Sequence, residues 1–473
     1  MKREKQISFA ASRFDRFARS KKGAAFLSAQ VRISDFSRYA VGFFVTAAML
    51  AGCGGSQPPV AAPPPAYAGS SHFSQPGSTN GYQLLYAFRG NRNSNLGGDL
   101  PYSSLIAVKN RLYGTTIKGG NLNYSACGRG KFFAGCGTVF EVSASGKERV
   151  LYRFAGGSDG FFPYAGLLAL NGTLYGTTSD GGGVPCKRHG SCGTVFSLSL
   201  SGQERVLHRF SGSPDGAVPS TNLIAVNGAL YGTTSNGGSL RGGCARNHGC
   251  GVIFAVSPSG SERVIYTFKG SKGGAYPSGP LLVTHGMLYG MTRNGGSGRC
   301  GTVFKVSTSG KESIVHSFTV SRGACYPTGG LAAIDGVLYG LTAYGGGSAC
   351  ACGAVFKMTT TGAAKVIYGF EGGSDGSAPL AGLIAFNGAL YGTTPEGGGG
   401  CSASRGCGTV FRVTTTGVEE VLYAFKGGSD GALPAAALST LGGVLYGTTS
   451  GGGGDSCGYA SSESCGTVFK ISP

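Results

Sequence analysis

The chain has 473 residues, 41% of them hydrophobic and only 13% charged, with 89 glycines, 19 prolines and no tryptophan. That apolar share excludes general disorder, and glycine without a G-X-Y period excludes collagen, which leaves a fold of many tight turns between short strands. The formal charge of +19 is unevenly placed and does not by itself point to nucleic acid.

Much of it sits at the start. Lys2, Arg3, Lys5, Arg13, Arg16, Arg19, Lys21, Lys22, Arg32 and Arg38 form a basic leader, followed by an uncharged apolar run from Ala40 to Leu50. The run is short for a bilayer span. It ends in Leu50-Ala51-Gly52-Cys53, which resembles the lipobox of bacterial lipoproteins. That resemblance implies a signal peptide over residues 1–53, acylation of Cys53 and attachment to the membrane through this lipid. Gly54 rather than Asp follows the cysteine, which by the same resemblance favours the outer membrane or cell surface. The leader is long for its kind, so whether Met1 is the true start stays open. Residues 54–80, including QPPVAAPPPAYAGSS, carry no hydrophobic period and read as an extended tether. Without the leader's ten Lys/Arg and three Asp/Glu, the mature chain keeps a charge of +12.

From residue 81 onward one phrase recurs. Leu-Tyr-Gly stands at Tyr113, Tyr175, Tyr231, Tyr289, Tyr339, Tyr391 and Tyr446, at spacings of 62, 56, 58, 50, 52 and 55 residues. Repeats of that length suggest propeller blades or a solenoid. The unit that begins at Pro219 holds four strand candidates: A at 223–226, B from Ala229 after the Asn227-Gly228 turn, C at 252–256 and D at 263–268. Seven such units predict a seven-bladed β-propeller with four-stranded antiparallel blades, and a linear solenoid is the runner-up. The ends distinguish the two. Leu84-Leu85-Tyr86-Ala87-Phe88 matches strand D before any strand A, whereas the chain stops after Gly466-Thr-Val-Phe-Lys-Ile471, a strand C without its D. The orphan strand therefore completes the last blade, from residues 434–473 plus 83–88, and closes a ring over residues 81–473.

The rhythm of the unit is similar to quinoprotein-type propeller repeats, but their docking tryptophan has no counterpart here, so no quinone is expected. A pairing of LYGTTxxGG with CGTVFxVxxxG resembles the GloVer-type tandem repeats of choice-of-anchor surface proteins, over about 390 residues. What the resemblance implies is an exported, membrane- or surface-anchored repeat protein without an established biochemical activity.

Cysteine usage agrees with export. Besides Cys53 there are fourteen, an even number. Five pairs lie within single B-to-C loops: Cys127 with Cys136, Cys186 with Cys192, Cys244 with Cys250, Cys401 with Cys407, and Cys457 with Cys465. The remaining four are Cys300, Cys325, Cys350 and Cys352. In an up-and-down blade the B-to-C loop and the D-to-A link emerge on one face, so Cys300 with Cys325 and Cys350 with Cys352 is the expected arrangement, with Cys325 to Cys350 as the alternative. CKRHGSC (186–192) and CARNHGC (244–250) also hold a histidine between two thiols, as a zinc site would. CSASRGC (401–407) keeps the spacing without histidine, which favours disulfides and no metal.

On the same predicted face lie the links with Asp159, Asp215, Asp375 and Asp430, each in an Asp-Gly step that reads first as a turn. Arg129, Lys131, Lys187, Arg188, Arg241, Arg246, Arg299 and Arg405 gather in the B-to-C loops. This mixed face is the candidate binding surface, with an anionic glycan or an acidic protein as partner. No nucleic-acid motif occurs, and neither does a GxSxG elbow, an HExxH or a P-loop. His208 and His316 replace the tyrosine of VLYxF and read as packing variants. The expectation is a monomeric, non-enzymatic, lipid-anchored binding propeller without catalytic residues or cofactor; the alternative is an exported carbohydrate-active enzyme, a glycosidase or lyase, with its site in divergent loops.

Overall fold

Apolar runs of three to six residues, rich in Val, Ile, Leu and aromatics and separated by Asn-Gly or Ser-Gly steps, are too short for helices and fit short pleated strands. In blade 2 they become Leu168–Leu170 (strand A), Thr173–Thr178 (B), Thr194–Ser199 (C) and Glu204–Arg209 (D), hydrogen-bonded in that order. Strands A and B meet at Asn171 (φ 52°) and Gly172 (φ 75°), the paired positive φ of the tight hairpin turn that Asn-Gly favours.

The computed structural model describes residues 81–473 except 90–96, 122–126, 128–134, 184–185, 187–191, 242, 245–247, 321–322, 348–349, 400–405 and 455–464. Among the described residues the A-B-C-D sheet occurs seven times. Blades 1 to 6 begin strand A at Ile106, Leu168, Ile224, Ala275, Ala324 and Ile384. Blade 7 takes A, B and C from Ser439–Leu441, Val444–Thr449 and Thr467–Ile471, and its outer strand from Tyr82–Ala87.

The closing pair is a true C–D pair. Tyr82 faces Ile471 and Leu84 faces Phe469, then the register slips so that Tyr86 faces Val468. The same slip, at the same place, interrupts C–D pairing in the other six blades, for example between Val195 and Phe196 in blade 2. The bulge turns one carbonyl outward. Leu85 presents its carbonyl to Gly146 in the C–D turn of blade 1, as Leu151 does to Gly202 and Leu207 to Gly260. Each C–D hairpin thus covers the outer edge of the preceding blade. At the inner edge, strand A of blade 7 lies beside strand A of blade 1.

The core sits between blades. Phe154 of strand D in blade 1 meets Phe196 of strand C in blade 2 edge-on, with centroids 5.2 Å apart, and an equivalent pair occupies every junction, including Phe88 with Phe140 across the closure at 5.0 Å. Phenylalanine pairs therefore dock the blades of a chain without tryptophan, at about 0.5–1.5 kcal/mol each beyond area burial. The Leu-Tyr-Gly phrase serves the same packing: its leucine and tyrosine are buried, and a Cβ on Gly176 would come within 2.5 Å of the Phe196 ring.

The D-to-A links differ from the loops expected of them. Beyond each turn, one or a few link residues pair with the outer end of strand B: Asp99 with Lys118, Phe161 with Asp180, Ala217 with Asn236, Ala275 with Asn294, Ala324 with Gly345, Ser377 with Glu396 and Ala432 with Gly451. In blades 4 and 5 the link fuses with strand A as Ala275–Thr284 and Ala324–Ile334.

Candidate functional site

The loop face is built from two chemistries, a set of staples at the base of the loops and a set of acidic junctions at the rim. Disulfides join Cys127 to Cys136, Cys186 to Cys192, Cys244 to Cys250, Cys300 to Cys325 and Cys350 to Cys352. Cys407 and Cys465 are also disulfide-bonded; Cys401 and Cys457, which the sequence pairs with them, lie outside the described residues. With their sulfurs joined, CKRHGSC and CARNHGC have no thiolate to offer a metal, and five disulfides suit an oxidising, extracytoplasmic compartment.

The cysteine of the Cys-Gly step that enters each strand C acts on the next blade. Its carbonyl accepts the backbone N–H of the residue before the link proline: Phe162 to Cys136 (3.0 Å), Val218 to Cys192 (2.9 Å), Tyr276 to Cys250 (3.0 Å), Tyr326 to Cys300 (2.8 Å), Ala378 to Cys352 (2.8 Å) and Leu433 to Cys407 (2.9 Å). Leu100 to Cys465 (3.1 Å) closes the ring. All seven donors hold positive φ, between 51° and 59°, a left-handed conformation that costs a non-glycine residue about 1 kcal/mol or more. The following proline packs on the glycine after the cysteine, as Pro163 does on Gly137. Cys-Gly is thus the seat of an inter-blade clasp, and the disulfide fixes that seat. Gly212 and Gly270 of the links lie against the sulfurs of Cys186–Cys192 and Cys244–Cys250, which puts links and staples on one face.

Residues just before strand A, or at its start, draw neighbouring blades together near the axis. Asn222 of blade 3 reaches past blade 2 to Ser104 of blade 1 (2.9 Å) and accepts the Gly166 N–H (2.7 Å), a span open only to residues around the centre of a ring. On the opposite side the backbones of Gly279, Gly329 and Gly382 touch, so that no Cβ fits between them.

Among the basic candidates, Arg241 and Arg299 are exposed. Arg129, Lys131, Lys187, Arg188, Arg246 and Arg405 lie outside the described residues, as does Cys53. Leu240 and Val320 are exposed on loop and link segments, and Tyr344 is exposed at the end of strand B of blade 5 (Val337–Gly345). The four aspartates are committed to their own turns: each accepts the N–H of the residue four positions earlier, Ala155, Ser211, Glu371 or Lys426.

The same carboxylates meet a feature that the sequence reading passed over. Asp159, Asp375 and Asp430 accept hydrogen bonds from Tyr152 (3.0 Å), Tyr368 (2.8 Å) and Tyr423 (2.7 Å), the tyrosines of strand D. At two of these junctions the first residue of the next blade's strand D adds a glutamate. Tyr368 also lies 3.4 Å from Glu419, and Glu204 stands beside Tyr152 and Asp159. Burial, and then the nearby aspartate, push Glu204 and Glu419 up to about 7. The groove at the blade 1–2 junction, about 410 Å³, is lined by Tyr152, Asp159, Glu204, Arg205 and Arg209. At the blade 6–7 junction the glutamate gives way to Tyr82, which stacks on Tyr423 at 3.9 Å. Periodicity hid these sites, because each combines residues about 50 positions apart from two repeats.

Comparison with known proteins adds a family. The Gloeobacter/Verrucomicrobia repeat model matches residues 72–245 and 241–461. No curated protein matches the chain. Similar solved structures include the computationally designed Ika8 protein (14% identity, TM-score 0.45, covering 83% of this chain and 100% of that one). They also include the gluconolactonase XC5397 of Xanthomonas campestris (15%, 0.33, 54% and 74%) and a luciferin-regenerating enzyme (13%, 0.38, 64% and 88%). Scores this low carry no argument about what this chain does.

Proposed function

The chain belongs to the Gloeobacter/Verrucomicrobia repeat family, and from that premise we propose that it is an exported, lipid-anchored, non-enzymatic propeller that binds a partner through its stapled loop face. The observation that carries the reading is the clasp. Seven loops are held at their bases by one repeated hydrogen bond of 2.8–3.1 Å, so the blades differ mainly in what extends beyond the staple. A repeated rigid base under variable tips suits recognition, whereas catalysis needs a few unlike groups converging at one spot. Arg241 and Arg299, both exposed, suit an anionic glycan or an acidic protein surface. Signal peptide, lipid on Cys53, tether and outer-membrane placement complete the proposal and rest on residues 1–80 of the sequence.

The enzyme reading has one observation in its favour, the raised carboxylate Glu204 beside Asp159 in a groove. A similar cluster at Tyr368, Asp375 and Glu419 favours a role in blade docking instead. Residues 81–473, applied to an array of acidic glycans, are expected to bind in a salt-dependent way, and Arg241→Ala with Arg299→Ala to weaken that binding. Cys53→Ser in the full chain is expected to release it from the membrane fraction. Salt-independent binding indifferent to both arginines, or a Cys53→Ser chain still in the membrane, would count against the corresponding half of the proposal.

A further inference from the structure

The seven blade junctions form an internal comparison series. Two of them, between blades 1 and 2 and between blades 5 and 6, combine a tyrosine of strand D, a link aspartate and a glutamate from the next blade: Tyr152, Asp159, Glu204 and Tyr368, Asp375, Glu419. Between blades 2 and 3 the aspartate and glutamate remain as Asp215 and Glu262, but His208 takes the tyrosine's place. Its ring keeps the tyrosine's packing, edge-on to Phe210 at 4.8 Å as Tyr152 is to Phe154 at 5.2 Å. The chemistry changes where the packing does not. A phenol offers one proton and is a poor metal ligand near neutral pH, whereas a neutral imidazole offers a nitrogen lone pair.

From this exchange we propose that His208, Asp215 and Glu262 form a site for one divalent transition-metal ion, with zinc as the best-fitting class, at the junction of blades 2 and 3. His208 Nε2 lies 3.2 and 3.3 Å from the two Asp215 carboxylate oxygens. One donor atom from each of the three residues lies within 4.8 Å of the others. A tetrahedral ion held at about 2.0–2.2 Å needs donors about 3.3–3.6 Å apart, so small side-chain rotations bring all three to one centre. Ser211 orients Asp215 through its N–H (2.8 Å) and hydroxyl (3.1 Å), the kind of outer support that fixes a ligating carboxylate. Glu262 Oε1 is buried and has no hydrogen-bond partner, as in Glu204 and Glu419. At the junction of blades 5 and 6 the phenol reaches the other oxygen, Oε2, and among the described residues only at blades 2 and 3 does an imidazole stand beside the pair of carboxylates. Two carboxylates and one imidazole would neutralise a divalent charge. The side chains of His208 and Asp215 remain 19% and 15% exposed, which leaves an approach for a water as fourth ligand. Nitrogen in the donor set favours zinc over calcium or magnesium, whose preferred ligands are all oxygen.

The repeat supplies its own controls. The full chain, produced without a histidine tag, kept oxidised and freed of metal, is titrated with Zn²⁺ by calorimetry and loaded with Co²⁺ for its visible spectrum. One equivalent of Zn²⁺ is expected. His208→Tyr installs the side chain that blades 1 and 5 carry at this position and is expected to fold normally and abolish the saturable binding. Glu262→Gln keeps the shape and is expected to weaken binding more than about tenfold, since losing even an outer-shell partner costs about 10–100-fold. Tyr152→His, facing Asp159 and Glu204, is expected to add a second equivalent. A wild-type chain with no saturable Zn²⁺ binding, as a protonated histidine shared by the two carboxylates would give, overturns the proposal. So does unchanged stoichiometry in His208→Tyr.

Discussion

Ring closure by a strand from the far end of the chain makes a quantitative demand on Phe88. This side chain is 1% exposed and meets Phe140 of blade 1 edge-on at 5.0 Å, as Phe210 of blade 2, fully buried, meets Phe254 of blade 3 at 5.0 Å. Truncating a buried phenylalanine to alanine removes its transfer free energy and leaves a cavity, about 3–5 kcal/mol together. With an unfolding entropy of about 2.1 cal/mol/K per residue over about 390 residues, that loss lowers the thermal midpoint by about 4–6 °C. Phe88→Ala and Phe210→Ala are therefore expected to shift the calorimetric midpoint by similar amounts. In an open solenoid the strand before Phe88 would have no Thr467–Ile471 strand of blade 7 to pair with, and nothing would hold Phe88 in place on blade 1. A shift below about 1 °C for Phe88→Ala, with the full shift for Phe210→Ala, would refute the closed ring.

Two further outcomes follow from the rim and the staples. Glu204 and Glu419 are pushed up to about 7 from an ordinary 4.5, so the fold favours their neutral forms. Their contribution to stability is complete below about pH 4.5 and is lost as pH rises through about 7, because the native state then holds fewer protons than it favours. The thermal midpoint is expected to fall between pH 5 and pH 8, and Glu204→Gln with Glu419→Gln to flatten that slope; an unchanged slope would exclude these groups. Among the staples, Cys300–Cys325 closes 25 residues and Cys244–Cys250 only 6. Chain entropy assigns them about 3.5 and about 2 kcal/mol. The Cys300→Ser/Cys325→Ser pair is expected to lower the urea midpoint more than Cys244→Ser/Cys250→Ser, and the reverse order would contradict the loop-length argument.

The blades were legible because each repeat states its strands locally: apolar alternation, Asn-Gly turns, and an outer strand left over at one end that is missing at the other. The clasp was half visible. Cys-Gly and the link prolines stand in every repeat, but the hydrogen bond between them joins a loop of one blade to the entry of the next, and no single unit contains both partners. Glu204, Glu262 and Glu419 were passed over for the same reason. Within its own strand each looks like a solvated first residue; only the docked neighbour supplies the tyrosine or histidine and the aspartate that give it a role. His208 illustrates the limit most sharply: its packing was readable from VLHRF, its carboxylate partners were not. The basic loop tips were visible in composition, yet which of them share a patch depends on loop conformations that glycine-rich sequences do not dictate.

The proposal that this face binds without turnover is tested most directly on whichever acidic glycan the chain retains. Incubated with the protein at saturating concentration, the ligand is expected to be recovered intact, with no new reducing ends or unsaturated products by mass spectrometry. Steady release of shortened product, abolished by Glu204→Gln, would contradict the account and identify the blade 1–2 groove as an active site.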